Sequence, residues 1–135
     1  MLRVRRYGRG VLPTRLAAAA SRVWRGSFSV DSDEEVPWWD MTTWLALRSD
    51  RVVGLCTTQQ RRENAVTATW VSNLCVHPKH RGRGVASRLL DAVGGVEGRL
   101  ALTAEHGLDD FYASRGFARV AARRGVVWVR ECCAP

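Results

Sequence analysis

The chain has 135 residues, 46% of them hydrophobic and 25% charged, the balance of a globular domain rather than a disordered or fibrous one. No apolar run approaches the roughly 20 residues of a membrane-spanning helix, so no membrane partner is expected. The net charge of +8, with Lys79 the only lysine, argues for an anionic partner without choosing among nucleic acid, phosphorylated cofactor and acidic protein.

Residues 2–7, "LRVRRY", alternate apolar and charged side chains, the period of a half-buried strand. "LPTRLAAAASRVW" follows as an amphipathic helix with Leu16, Ala20 and Val23 on one face. The first 26 residues carry seven arginines and no acid, superficially like a transit peptide, but a basic strand and a helix account for them. "SVDSDEEVPWWDM" is a loop or short helix, acidic first and aromatic after. A hairpin is expected next, with strands at 42–48 and 51–59 around Ser49-Asp50. "RRENA" makes a polar turn into a third long strand, "VTATWVSNLCV". Val85, Leu89, Val93 and Val96 then recur at helical spacing, with Gly94-Gly95 weakening the helix end. "RLALTA" is a short strand and "GLDDFYASRGF" a short helix capped by Gly116. "FARVAARRGVVWVRE" closes the chain as a hairpin around residues 123–125. With no internal repeat and no linker, residues 1–135 are expected to form one α/β domain, a central sheet flanked by helices.

Cys56, Cys75, Cys132 and Cys133 form no CxxC pair, and no histidine stands at metal-ligand spacing from them. No metal is expected. Cys56 and Cys75 lie in apolar runs, which reads as packed, reduced thiols in a cytoplasmic protein.

The chemistry concentrates in "VHPKHRGRGVASRLL", residues 76–90. A strand, a glycine-bearing turn and a helix start make an anion site from backbone alone. Glycines at 82 and 84 clear side chains from the approach to those amides, and Lys79, Arg81, Arg83 and Arg88 add charge. A pyrophosphate fits this arrangement. There is no GxxxxGK[ST], and the dinucleotide GxGxxG is incomplete because position 87 is serine.

"LCVHPKHRGRGVASRLL" resembles the acetyl-CoA signature of the GNAT superfamily of N-acetyltransferases, Leu-x-Val-x-Pro leading into Arg/Gln-x-x-Gly-x-Gly/Ala at a helix start. Leu74, Val76 and Pro78 fill the strand end, and Arg81, Gly84 and Ala86 the three defining positions. "DDFYASRGF" is similar to the family's Phe-Tyr-x-x-x-Gly-Phe. The resemblance covers about residues 42–130. It implies a single mixed, mostly antiparallel sheet of six to seven strands, with a splayed strand pair that accepts CoA.

The same resemblance implies acetyl-CoA as co-substrate. Its pyrophosphate would be held by Arg81 and by the amides of Gly82, Arg83, Gly84, Val85 and Ala86, with Ser87 one position further along. Pantetheine would lie along the backbone of Leu74, Cys75 and Val76. An amine would attack the thioester directly through a tetrahedral intermediate, and Tyr112 would protonate the departing thiolate. No base stands out: Ser72 and Asn73 stand where a glutamate is often found, Glu105 where many relatives have asparagine, and His106 is a lone loop histidine. His77 and His80 read as surface residues. Asp31, Asp33, Glu34 and Glu35 with Trp38 and Trp39 combine carboxylates and indole faces, the groups that hold an ammonium ion. A small cationic amine or peptide amine is therefore the expected acceptor. Two other readings stay open: an aminoacyl-tRNA-acetylating toxin-like enzyme, which would make nucleic acid the partner, and a non-catalytic acyl-CoA-binding module. Members of this family often pair through sheet edges, so a homodimer is a further expectation.

Overall fold

In the computed structural model, residues 1–28, 40–103, 108–121 and 126–131 are described, without the side chains of 25–28 and 121. The alternating N-terminal segment forms β1 (Leu2–Tyr7), and the alanine-rich stretch forms α1 (Thr14–Phe28). The hairpin is β2 (Thr42–Arg48) with β3 (Arg51–Glu63). Its turn residues Ser49 and Asp50 have φ of 50° and 62°, the left-handed pair whose twist matches a two-residue hairpin.

β3 runs four residues beyond the expected end at 59. "RRE" belongs to the strand, and the turn is Asn64-Ala65 alone, at φ 52° and 63°. Polarity in these three residues marks exposure rather than a turn. Here an exposed ribbon pairs Arg61 with Ala68 and Glu63 with Val66.

β4 (Val66–Val76) leads through a 3-10 turn (Pro78–His80) to α2 (Val85–Glu97). β5 (Leu100–Thr103), α3 (Asp109–Ser114), β6 (Ala118–Ala121) and β7 (Val126–Arg130) complete the order. The seven strands form one sheet, β1-β2-β3-β4-β5-β7-β6. Every pairing is antiparallel except β4 with β5.

Two irregularities shape the site. Thr57 pairs with Asn73 but Thr58 with Val71, so Ser72 is an extra residue that bends β4. β5 registers with β4 only at Thr69↔Leu100 and Trp70↔Ala101. Past those pairs the two strands share no register, the splay that the resemblance implied.

One face of the sheet packs Trp44 and Cys56 against Val85, Leu89, Leu90 and Val93 of α2, with Tyr112, Phe117 and Trp128 beside them. The other face packs Leu45, Leu55 and Cys75 against Ala20 and Val23 of α1. Leu89 and Leu90 are 0% exposed, each contributing about 1.5–3 kcal/mol by leaving water. α2 sits close because residue 54 is glycine: a Cβ there would lie 2.8 Å from Val85 Cγ1 and 3.2 Å from the Cys75 carbonyl. Sheet and helix start are thus fixed to one another.

The helix survives Gly94-Gly95 and ends at Glu97, because Val93 and Gly94 are buried against the sheet. Gly95 faces open space at an ordinary φ. Gly95→Ala should therefore stabilise the fold by about 0.5–1 kcal/mol, since alanine is the better helix former. A higher denaturant midpoint with an unchanged slope is the expected reading.

Among the described residues, no helix is long and apolar enough to cross a membrane.

Candidate active site

Where β4 leaves β5, a groove of about 640 Å³ opens between the end of β4, the glycine turn, the start of α2 and one side of α3. The turn is built from the backbone outward. Gly82 and Gly84 have φ of 73° and 78°, a conformation that side chains resist. A Cβ at either position would meet nothing within 4 Å. The protein therefore uses glycine here for chain direction as well as for access to the amides.

Gly84 is the N-cap of α2 and has no side chain to cap it, and no acid lies in the first turn. The first helical bond to the cap is Arg88 N–H to the Gly84 carbonyl, 3.0 Å. The amides of Val85, Ala86 and Ser87 precede that bond, at the positive end of a 13-residue helix.

Among residues expected to hold a cofactor, Leu74, Cys75 and Val76 line the groove on the strand side. Arg81, Gly82, Gly84, Val85, Ala86 and Ser87 line it at the turn. Arg83 is exposed and is not part of that lining. Arg81 Nε donates to the Val76 carbonyl at 3.2 Å, tying the turn to the strand end. Arg88 reaches away from the groove, donating to the Leu2 carbonyl at 3.2 Å.

Tyr112 also lines the groove and is 7% exposed. Its ring meets Phe111 at 5.3 Å and Phe117 at 5.7 Å between centroids, both at steep angles. Trp128 lies at 6.4 Å. This aromatic packing fixes the ring on a helix of only six residues. Phe111 both packs against the core and lines the groove.

His80 corrects an expectation. Read as a surface residue, it is half-buried and lines the groove just before Arg81. Its Nδ1 is buried with no hydrogen-bond partner among the described residues. Burial first, then the charges of His77, Arg48, Arg83 and Lys79, hold its imidazole below the ordinary 6.5. The direction fixes a sign. A histidine depressed in the folded state contributes stability above its unfolded value and loses it as pH falls below about 6.5. The ligand-free protein should thus melt earlier on acidification, and His80→Gln should flatten that slope. An anion in the groove should reverse the contribution, which melting curves with and without ligand would reveal.

On the opposite face Trp24 Nε1 donates to Asn73 Oδ1 at 3.1 Å, and Asn73 Nδ2 donates to Thr57 Oγ1 at 2.8 Å. Asn73 is thereby held by α1 and β3, and a carboxamide takes up no proton at neutral pH. The Ser72 hydroxyl, on the β-bulge, is buried without a partner among the described residues. The other acceptor-side and base residues, Asp33, Glu34, Trp38 and Glu105, lie outside the described residues, as do Asp31, Glu35, Trp39 and His106.

The architecture is thus a seven-strand sheet with α1 on one face, α2 and α3 on the other, and a β4–β5 pair that splays beside a glycine turn. Residues 39–119 match the family model for the acetyltransferase (GNAT) domain. The chain belongs to the GNAT family of acetyltransferases, an acyltransferase class. Solved structures agree in fold. A protein of Lactobacillus plantarum assigned as an N-acetyltransferase is 14% identical, with a TM-score of 0.74 over 98% of this chain and 99% of that one. ElaA of Escherichia coli is 18% identical, with a TM-score of 0.70 over 97% of this chain and 100% of that one. N-acetylglutamate synthase from Neisseria gonorrhoeae, complexed with coenzyme A and N-acetylglutamate, is 16% identical, with a TM-score of 0.67 over 99% of this chain and 36% of that one. Among curated proteins there is no match.

Proposed function

We propose that residues 1–135 form a single cytoplasmic domain that transfers an acetyl group from acetyl-CoA to a primary amine. The observation that carries this reading is the uncapped start of α2, opening on a groove that Tyr112 also lines. The fit to a diphosphate is chemical: two glycines at positive φ and a helix N-terminus without acid leave amides and dipole available to an anion. The splay past Trp70 leaves room for pantetheine beside Leu74, Cys75 and Val76, whose backbone would align it as an added strand.

In this reading a main-chain amide near Cys75 or Val76 polarises the thioester carbonyl as the amine attacks. Tyr112 then delivers a proton to the departing sulfur. The amine loses its own proton to a water chain, and Glu105 is the candidate to order it. The acidic and aromatic stretch at 31–39 draws a cationic acceptor towards the thioester. Neutralising Asp33, Glu34 and Glu35 together should raise KM for the amine several-fold and leave KM for acetyl-CoA unchanged. Equal changes in both constants would remove these residues from acceptor recognition.

The direct test is thiol release from acetyl-CoA against a panel of polyamines, aromatic amines, peptide amines and aminoacyl-tRNA. Amine-dependent release is the expected outcome. CoA binding with no transfer to any acceptor would make the domain a binding module instead.

A further inference from the structure

A second concavity, of about 420 Å³, lies on the α1 face of the sheet, across the Pro78–His80 turn from the groove. Arg15 and Arg22, two helical turns apart on α1, line it together with Arg51 at the first residue of β3 and His77 at the end of β4. Among the described residues none of these three guanidinium groups takes part in an ion pair. The carboxylate at the rim, Asp50, is already bonded to Arg3 at 3.0 Å.

Two further features favour negative charge. α1 begins at Thr14, beside Arg15, with no acid in its first turn, so its positive end faces no counter-charge on its own helix. His77 Nδ1 accepts the Lys79 amide proton at 3.1 Å, which puts the proton of the neutral ring on Nε2 and makes that atom a donor. The His77 and His80 rings meet edge-on at 5.7 Å. One short turn thus gives a ring to each concavity.

We propose that this cleft is a second binding site, for a small phosphate-bearing anion, distinct from the cofactor groove, with which it shares no lining residue. Three guanidinium groups around one hollow repel one another when it is empty, and an anion there turns that repulsion into attraction. Guanidinium forks and an imidazole N–H match the oxygens of a phosphate group better than a single carboxylate.

The experiment is calorimetric titration of inorganic pyrophosphate into protein already saturated with CoA, so that the groove is filled. CoA binding is measured first in the same cell, and its failure would count against the cofactor reading before pyrophosphate is added. Saturable uptake of one equivalent is expected. Arg15→Gln with Arg51→Gln should weaken it at least about tenfold. Arg5→Gln with Arg62→Gln, an equal loss of charge at exposed residues elsewhere, should change it by no more than about twofold. All four arginines are exposed, so folding is not at stake. No uptake by the CoA-saturated protein, or equal weakening in the two double variants, would overturn the proposal, the latter by assigning binding to diffuse charge.

Discussion

Tyr112→Phe should lower kcat by about a hundredfold while leaving the Kd for CoA within about twofold, the size expected for one general acid. The substitution removes only an oxygen. The ring keeps its packing against Phe111, Phe117 and Trp128, and the backbone amide of residue 112 still donates to the Leu108 carbonyl. Neither fold nor groove should change. A loss confined to kcat assigns the phenol to the transition state, because removing ground-state binding would raise KM instead. Relief of the defect with acyl donors whose thiolate leaves more readily would tie the phenol to sulfur rather than to the amine. Unchanged turnover would remove Tyr112 from the chemistry and leave it as an aromatic of the core.

Gly84→Val should weaken CoA about a hundredfold and lower the melting temperature by a few degrees. Space does not decide this, since nothing lies within 4 Å of a Cβ there. The penalty is conformational: a β-branched residue at φ 78° sits in a region it almost never adopts, at about 1–2 kcal/mol or more. The turn relieves that strain by rotating, and rotation re-aims the amides of Val85, Ala86 and Ser87, which share the first turn of α2. Binding should therefore suffer more than folding. Gly95→Ala, in the same helix but eleven residues on, should go the other way. Together the pair separates a glycine used for its φ from one that is merely tolerated.

The glycine turn at the start of α2 was legible because its cause is local. Strand end, glycines and helix start are contiguous in sequence, and unpaired amides at a helix N-terminus follow from helix geometry alone. β1 and the first hairpin were equally plain, since alternation and Ser49-Asp50 are short-range signals. β3 escaped its predicted end because polar residues in a two-sided exposed ribbon look like a turn until their partners are known. The bulge at Ser72 and the loss of register after Trp70 are properties of strand pairs, which no single segment encodes. His80 was misread for a related reason. Its neighbour Arg81 signalled the turn, but its burial depends on where the 3-10 turn folds against the sheet. The basic cleft was invisible for the same cause, since Arg15, Arg22, Arg51 and His77 come from three separate parts of the chain.

The central claim is that main-chain nitrogen at residues 82–86 holds a diphosphate. Amide nuclear magnetic resonance of the 15N-labelled protein tests it most directly, comparing titrations with CoA and with pantetheine, which lacks the diphosphate. The account predicts large shifts of the Gly82, Gly84, Val85 and Ala86 amides with CoA, and small ones there with pantetheine even while amides near Leu74 and Tyr112 respond to both. CoA binding that leaves the turn amides unmoved would contradict it.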